Sequence, residues 1–485
     1  MRLKDNNLFK QQCFVGGKWV SAADGAVITV TNPADDSVVG AVPKLGRKEI
    51  AEAVDAAEKA WAPWKSLRPL QRSEILRRWH SLIAENIDDL AMIMTMEQGK
   101  PLAEARGEIM LGMSYITWYA EEGRRVYGET IPSPWAGKQP MTIRQPIGVT
   151  AAITPWNFPM SMIARKASPA LAAGCPMIIK PASMTPFSAL AMAELAARAG
   201  VPAGILSVVT GDAAVIGEEL CANAKVRKLT FTGSTEVGKK LMAGCASTVK
   251  KLSMELGGNA PMIVCADADI KQAVAGTMGC KFRNAGQTCI CVNRLIVHEN
   301  VHDQFVAGLV EQAKAIVTGN GLEAGVTQGP MITSSAFAAM QTLVDDAVAK
   351  GAKIALGGKA DPKGGRLYLP TVLTDVTPEM RVFREEIFGP IAPVIRFKTE
   401  KEALELANDT EYGLASYVYT RDLGSFYRIA EALDYGMVGV NEVALAAGEV
   451  PFGGVKFSGL GREGGRQGIE DYMETKYILL GGLAS

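Results

Sequence analysis

Three short segments carry the residues most able to do chemistry. Cys289 closes Phe282-Arg283-Asn284-Ala285-Gly286-Gln287-Thr288-Cys289, Glu255 lies in Met254-Glu255-Leu256-Gly257-Gly258, and Asn157 lies in Ile153-Thr154-Pro155-Trp156-Asn157-Phe158-Pro159. A thiol that is to carry an acyl group needs a base to process the adduct and a donor for the oxygen on which charge develops. Nucleophile, carboxylate and amide together are the parts of a covalent mechanism at a carbonyl carbon. Singly, each has a plainer reading: asparagine pairs with solvent in many loops, and Glu255 could be a helix cap or a surface carboxylate.

Cys291, two residues beyond Cys289, admits two readings. A Cys289–Cys291 disulfide would be strained and easily reduced, and could switch activity off. A small apolar side chain is the simpler reading. The C-x-C spacing lacks the helix-start context of a C-x-x-C redox motif, and an idle scaffold protein would be expected to have lost Cys289, Glu255 or Asn157. The chain has only three histidines, His80, His298 and His302. None has zinc-site spacing, so no metal is expected. Glu299-Asn300 followed by Val301-His302-Asp303 reads as a turn and helix start, which puts His298 and His302 on the solvated surface.

A framework large enough to bring these segments together is available. At 485 residues the chain is too long for one ordinary core and implies two lobes. Apolar residues make up 48% and charged residues 21%, with 51 basic against 51 acidic side chains, so no overall field steers the protein to nucleic acid or an anionic membrane. The eight cysteines are scattered through apolar segments, which suits reduced thiols. Met1-Arg2-Leu3-Lys4-Asp5-Asn6-Asn7 has no apolar core like that of a signal peptide, and no uncharged apolar run is long enough to span a membrane. A cytoplasmic protein is the expectation.

Apolar spacing predicts a helix over about 47–66, through Ile50, Val54, Ala57 and Trp61, and further helices over about 70–123. From about 147 the pattern alternates. Apolar runs at 148–153, 176–179, 205–209 and 229–231 are separated by helical segments at about 160–173, 187–199, 213–222 and 235–244, which argues for a parallel sheet covered on both faces. A second alternating stretch runs from about 257 to 455. Gly233-Ser234, in Phe231-Thr232-Gly233-Ser234-Thr235-Glu236-Val237-Gly238, is only a partial dinucleotide signature. It sits where a strand ends and a helix begins, so it could present free N–H groups to a pyrophosphate or simply be a capped helix start. Lys180, Pro181, Ala182 and Ser183 end a second strand. Lys180 could reach a ribose hydroxyl or phosphate, and the small, uncharged Ser183 would admit a 2′-phosphate. Ser183 could also be a turn or cap, but Thr185-Pro186 is the better start signal for the next helix.

The blocks ITPWNFP from Ile153, IIKPAS from Ile178, FTGSTEVG from Phe231, MELGG from Met254, FRNAGQTC from Phe282, EEIFGP from Glu385 and PFGGVKFSGLGREG from Pro451 resemble those of the aldehyde dehydrogenase superfamily. The closest resemblance is to its succinate-semialdehyde dehydrogenase branch, and it covers nearly the whole chain. It implies an α/β subunit with a Rossmann-like cofactor domain (1–123 and 147–256), an α/β catalytic domain (257–469) and a small β oligomerisation flap (124–146 and 470–485). It further implies that Cys289 attacks an aldehyde to give a thiohemiacetal and then a thioester, that Asn157 and the Cys289 N–H hold the oxyanion, and that Glu255 activates the hydrolytic water. A relative that passes the acyl group to coenzyme A could dispense with that base, so Glu255 implies a free acid product.

By the same resemblance, Trp156, Leu256, Glu386 and Phe388 border the nicotinamide of NADP and/or NAD, while Arg165 and Arg283 hold the distal anion of a small acidic aldehyde. A structural ion pair at a domain seam is the other reading of these arginines. The branch commonly carries a serine before PFGG, but here the loop is Val443-Ala444-Leu445-Ala446-Ala447-Gly448-Glu449. Succinate semialdehyde is therefore expected first, with glutarate semialdehyde and 3-sulfolactaldehyde as alternatives. A homo-dimer or homo-tetramer is implied as well.

Overall fold

The computed structural model describes residues 3–482, so the ends of the first and last expected segments, 1–2 and 483–485, lie outside the described residues. After four short strands between Cys13 and Pro43, four helices follow in the first lobe: α1 (Arg47–Ser66), α2 (Pro69–Glu85), α3 (Ile87–Gln98) and α4 (Leu102–Glu122). α1 begins where the Glu49 carboxylate accepts the Gly46 N–H, and it buries Ile50, Ala53, Val54, Ala57 and Trp64. Trp64 thus closes the buried stripe that the spacing assigned to Trp61. Trp61 is half-buried and donates its indole N–H to the Gly174 carbonyl. α3 stops at Gly99, whose φ of 94° is a left-handed value that favours glycine.

Five parallel strands form the centre of the first sheet, in the spatial order Leu206–Val208, Met177–Lys180, Val149–Ile153, Val226–Thr232 and Lys251–Glu255. Helices Ser161–Ala173 (α5), Phe187–Arg198 (α6), Ala213–Ala222 and Thr235–Cys245 alternate with them, as the apolar spacing predicts. Register aligns the strand ends: Ile153 pairs with Lys180 on one side and Phe231 on the other, and Thr232 pairs with Glu255. Four functional segments therefore leave the sheet side by side, at the carboxyl edge where open α/β sheets bind ligands.

The second sheet has seven strands, in the order Lys353–Leu356, Thr371–Thr374, Ile391–Phe397, Val292–His298, Ala260–Val264, Ala415–Tyr419 and Met437–Val440. All its pairings are parallel except that of Lys353–Leu356. Separate apolar cores cover its two faces, one around Ile296, Phe383 and Ile395 and the other around Leu295, Phe305 and Tyr417. Gly459–Leu460, late in the chain, returns to pair antiparallel with Lys251–Glu255 of the first sheet, so the two lobes share backbone hydrogen bonding. Gln139–Pro146 and Met473–Leu480 form a two-stranded antiparallel ribbon that exposes Tyr477, Ile478, Leu479 and Leu480.

His302 departs from the surface expectation. His298 caps the helix Glu299–Ala313 through Nδ1, which accepts the Asn300 N–H, and the helix turns His302 into the core with Phe305 and Leu309. Periodicity places residues 302, 305 and 309 on one face, and that face is the buried one. Among the described residues no helix is long and apolar enough to cross a membrane, and no three His, Cys, Asp or Glu side chains are placed to hold a metal ion.

Candidate active site

One cavity lies where the strand ends of the first lobe meet the second. Cys289, Asn157, Trp156, Gly233, Ser234, Leu256, Glu386, Phe388, Arg165 and Arg283 all line it. The backbone requires close approach here. A Cβ at Gly258 would lie 2.4 Å from the Cys289 carbonyl oxygen, so the glycines after Glu255 let that segment lie against the nucleophile loop. That loop is itself unusual, with Asn284 and Ala285 in left-handed conformations at φ 52° and 54°. Phe388 is also left-handed, at φ 49°, and meets Trp156 edge-on at 5.6 Å. Side chains held in such conformations cost energy and persist only where their surroundings determine them.

Asn157 is buried and donates one Nδ2 hydrogen to the Gln287 carbonyl at 3.0 Å. Burial pushes the Cys289 thiol up to about 12; Arg165 opposes this, while Glu255 and Glu386 add to it. The resting sulfur is therefore a neutral thiol. Cys291 points elsewhere: its buried sulfur faces the carbonyls of Lys281 and Val292, each 3.6 Å away. It packs as a small apolar residue beside the second sheet.

Glu255 is buried, and neither carboxyl oxygen has a hydrogen-bond partner. Burial first and the neighbouring Glu463 second push it up to about 8, against the pull of Arg165, Lys166 and Arg462. A carboxyl raised in this way is mainly protonated at neutral pH, and its basic form grows as pH rises through about 8. If Glu255 is the base, thioester hydrolysis is expected to fall about tenfold per pH unit well below that value and to level off above it. Rapid-quench rates of acyl-enzyme hydrolysis check this, with Glu255→Gln expected to remove the rise.

Sequence reasoning missed Glu463. Helix α5 is buried along its whole length yet contains Arg165 and Lys166 side by side. Glu463 answers both, with its Oε2 2.6 Å from Arg165 Nε and its Oε1 accepting hydrogen bonds from Lys166 and Thr230. Burial alone would push Glu463 up, but Lys166 and Arg165 outweigh it and hold the carboxyl well below its usual range. Two adjacent cations in an apolar helix signal a buried anion, because unpaired buried charge is so costly. The pattern cannot say where in the chain that anion lies.

Arg165 therefore serves an ion pair and the cavity at once, and its Nη2 is buried without a hydrogen-bond partner. Arg283 makes no ion pair among the described residues; its guanidinium lies 5.3 Å from the Phe158 ring centroid. The loop that lacks the serine presents Val443 and Ala446 to the same cavity.

Lys180 ends the neighbouring strand, Pro181, Ala182 and Ser183 follow it, and none of the four is part of this cavity wall. Lys180 is buried, makes no ion pair among the described residues and is pushed down to about 8 by burial. A buried ammonium without an anion is the cation a phosphate or ribose hydroxyl would satisfy. Ser234 caps helix Thr235–Cys245 through Val237 N–H and also lines the cavity, so the capped-start and ligand-facing readings of Gly233-Ser234 both hold geometrically. These residues fit a dinucleotide.

The family model described as the aldehyde dehydrogenase family matches residues 19–478. The chain belongs to the aldehyde dehydrogenase family. Within the family it is 55% identical over 481 residues to the NADP(+) succinate-semialdehyde dehydrogenase of Escherichia coli (strain K12), which spans 99% of this chain and 100% of that protein. It is 56% identical over 483 residues to the glutarate-semialdehyde dehydrogenase of Pseudomonas aeruginosa, spanning 100% of each, and equally to the 3-sulfolactaldehyde dehydrogenase of Pseudomonas putida, spanning 100% of this chain and 99% of that one. The crystal structure of an E. coli NADP-dependent enzyme superposes with a TM-score of 0.98 at 55% identity, over 99% of this chain and 100% of that one.

Proposed function

We propose that the protein oxidises a short, anion-tailed aldehyde to its carboxylic acid with NADP or NAD, and that succinate semialdehyde is its substrate. One observation carries this reading: Cys289 shares a cavity with Asn157 and with two arginines, of which Arg283 makes no ion pair among the described residues. The Cys289 thiol loses its proton to solvent as the sulfur bonds to the aldehyde carbon, leaving an alkoxide. Asn157, with only one of its two amide hydrogens used in the fold, and the Cys289 N–H donate to that oxygen. Trp156, Leu256, Glu386 and Phe388 would border the nicotinamide, with Gly233 and Ser234 toward the phosphates and Lys180, Pro181, Ala182 and Ser183 toward the adenosine ribose. The bound nicotinamide supplies the acceptor for the hydride lost from the aldehyde carbon. Cys289 then holds a thioester. Glu255 takes a proton from water as the oxygen adds to the acyl carbon, the C–S bond breaks, the departing sulfur takes that proton back, and the free acid leaves.

A second acidic aldehyde has support of its own. The apolar Val443 and Ala446 wall offers no hydroxyl to a carboxylate, and relatives named for glutarate semialdehyde and 3-sulfolactaldehyde match this chain as well as the succinate-semialdehyde enzyme does. The test is kcat/KM for succinate semialdehyde, glutarate semialdehyde, 3-sulfolactaldehyde and butanal, each with NAD and NADP. Succinate semialdehyde with NADP is expected to lead, and butanal to trail by at least about tenfold, the cost of a lost charged hydrogen bond. A lead for another acid reassigns the substrate alone. Equal use of butanal removes the anion site.

A further inference from the structure

The chemistry needs two irregular loops from different lobes to meet: residues 156–160, which carry Asn157, and residues 283–289, which end at Cys289. Neither belongs to a sheet, so something else must fix the distance between amide and sulfur. The turn joining α3 to α4 touches the main chain of both. From this turn the Lys100 ammonium donates to the Asn157 carbonyl at 2.8 Å and lies 4.2 Å from the Phe158 ring centroid. Its charge is answered by Glu108, in the second turn of α4, whose other oxygen accepts the N–H groups of Met160 and Ser161 at 2.9 and 3.1 Å. The Asn157 loop is thus gripped at its carbonyl and again at the start of α5. On the other side, Gln98 donates to the Asn284 side-chain oxygen at 3.0 Å, and Glu104 accepts the Asn284 N–H at 2.9 Å. Asn284 closes the circuit, with its Nδ2 donating to the same Asn157 carbonyl at 3.1 Å.

Gln98, Lys100, Glu108 and Asn284 are all buried, and none of them lines the cavity. A buried ion pair is weak evidence for stability, because desolvation offsets much of its attraction, but it fixes geometry well when every hydrogen bond is made. We propose that the α3–α4 turn is a positioning frame: Lys100 and Glu108 hold the Asn157 loop, Gln98 and Glu104 hold Asn284, and together they set the Asn157 amide against the Cys289 sulfur. The proposal rests on the roles given above to Asn157 and Cys289. Lys100 and Glu108 touch no reacting atom. They are positioning residues, and their loss is felt only through Asn157.

A double-mutant cycle reads this directly. Lys100→Met with Glu108→Gln removes the Lys100 half of the hold on the Asn157 carbonyl, leaving Asn284 as its one side-chain donor, while neutralising both members of the buried pair and keeping an acceptor for Met160 and Ser161. In single turnover the paired variant is expected to reduce nicotinamide about 10- to 100-fold more slowly, the scale of an ångström-sized misplacement. NADP affinity by fluorescence titration and aldehyde KM are expected to stay within about threefold, below the scale of one lost hydrogen bond. In an Asn157→Ala background the same pair is expected to cost little more. An unchanged rate in the paired variant, or the full loss repeated on Asn157→Ala, overturns the frame. If the paired variant does not fold, Asn284→Gly tests the same contact, since glycine keeps the left-handed backbone, and the same two outcomes decide. Wild-type rates in Asn157→Ala itself would remove the role of Asn157 and the frame with it, whereas a slow Asn157→Ala with fully multiplying losses removes the frame alone.

Discussion

Cys289→Ala is expected to lower aldehyde oxidation by on the order of 10⁴-fold or more, as loss of the nucleophile does in other covalent enzymes. No neighbouring thiol can take its place. Cys280 reaches the same cavity, but its sulfur is turned away to the Ile290 carbonyl at 3.4 Å. Cys291 is packed beside the second sheet. Alanine fills less space than cysteine at a cavity wall, so NADP affinity and melting temperature are expected to hold. Initial rates of nicotinamide reduction, with a binding titration as control, check the result. A wild-type rate in this variant would leave no place for a covalent intermediate.

The second large effect is on selectivity. Arg283→Leu is expected to reduce kcat/KM for succinate semialdehyde by about 10²-fold, mostly through KM, because hydrogen bonds to charged groups contribute about 1.5–3 kcal/mol. Butanal is expected to change by less than about threefold, since it has no charge for a guanidinium to meet. Arg283 is a cleaner probe than Arg165. Arg165 balances Glu463 as well as facing the cavity, so its removal leaves that buried carboxylate to Lys166 alone, beside Glu255, and mixes two effects. Measuring both aldehydes on both proteins separates anion recognition from general damage, and a parallel loss on butanal would assign Arg283 to structure.

Much of this was legible in the residue order because it is local. A strand that ends in Ile153 or Lys180 and a helix that opens at Ser161 or Thr235 follow from apolar period and turn residues, and the functional segments sit at those junctions. Contacts between distant segments were not legible. Thr185-Pro186 marks where α6 begins, but no side chain there caps it. The Phe187 and Ser188 N–H groups go instead to the buried carboxylate of Glu97, from α3. The partner of Arg165 and Lys166 comes from the glycine-rich segment near the other end of the chain, and His302 is buried because of which helix face meets the core. In each case a buried polar group requires a partner, while only the fold decides which residue supplies it.

The most direct test of the account is the burst of reduced nicotinamide from Glu255→Gln mixed with NADP and succinate semialdehyde. Acylation of Cys289 needs no water, so one equivalent per active site is expected at close to the wild-type rate. Turnover should then nearly stop, with the intact mass of the protein raised by one succinyl group. Sustained turnover at the wild-type rate, with no added mass, would contradict a Cys289 thioester that depends on Glu255 for its release.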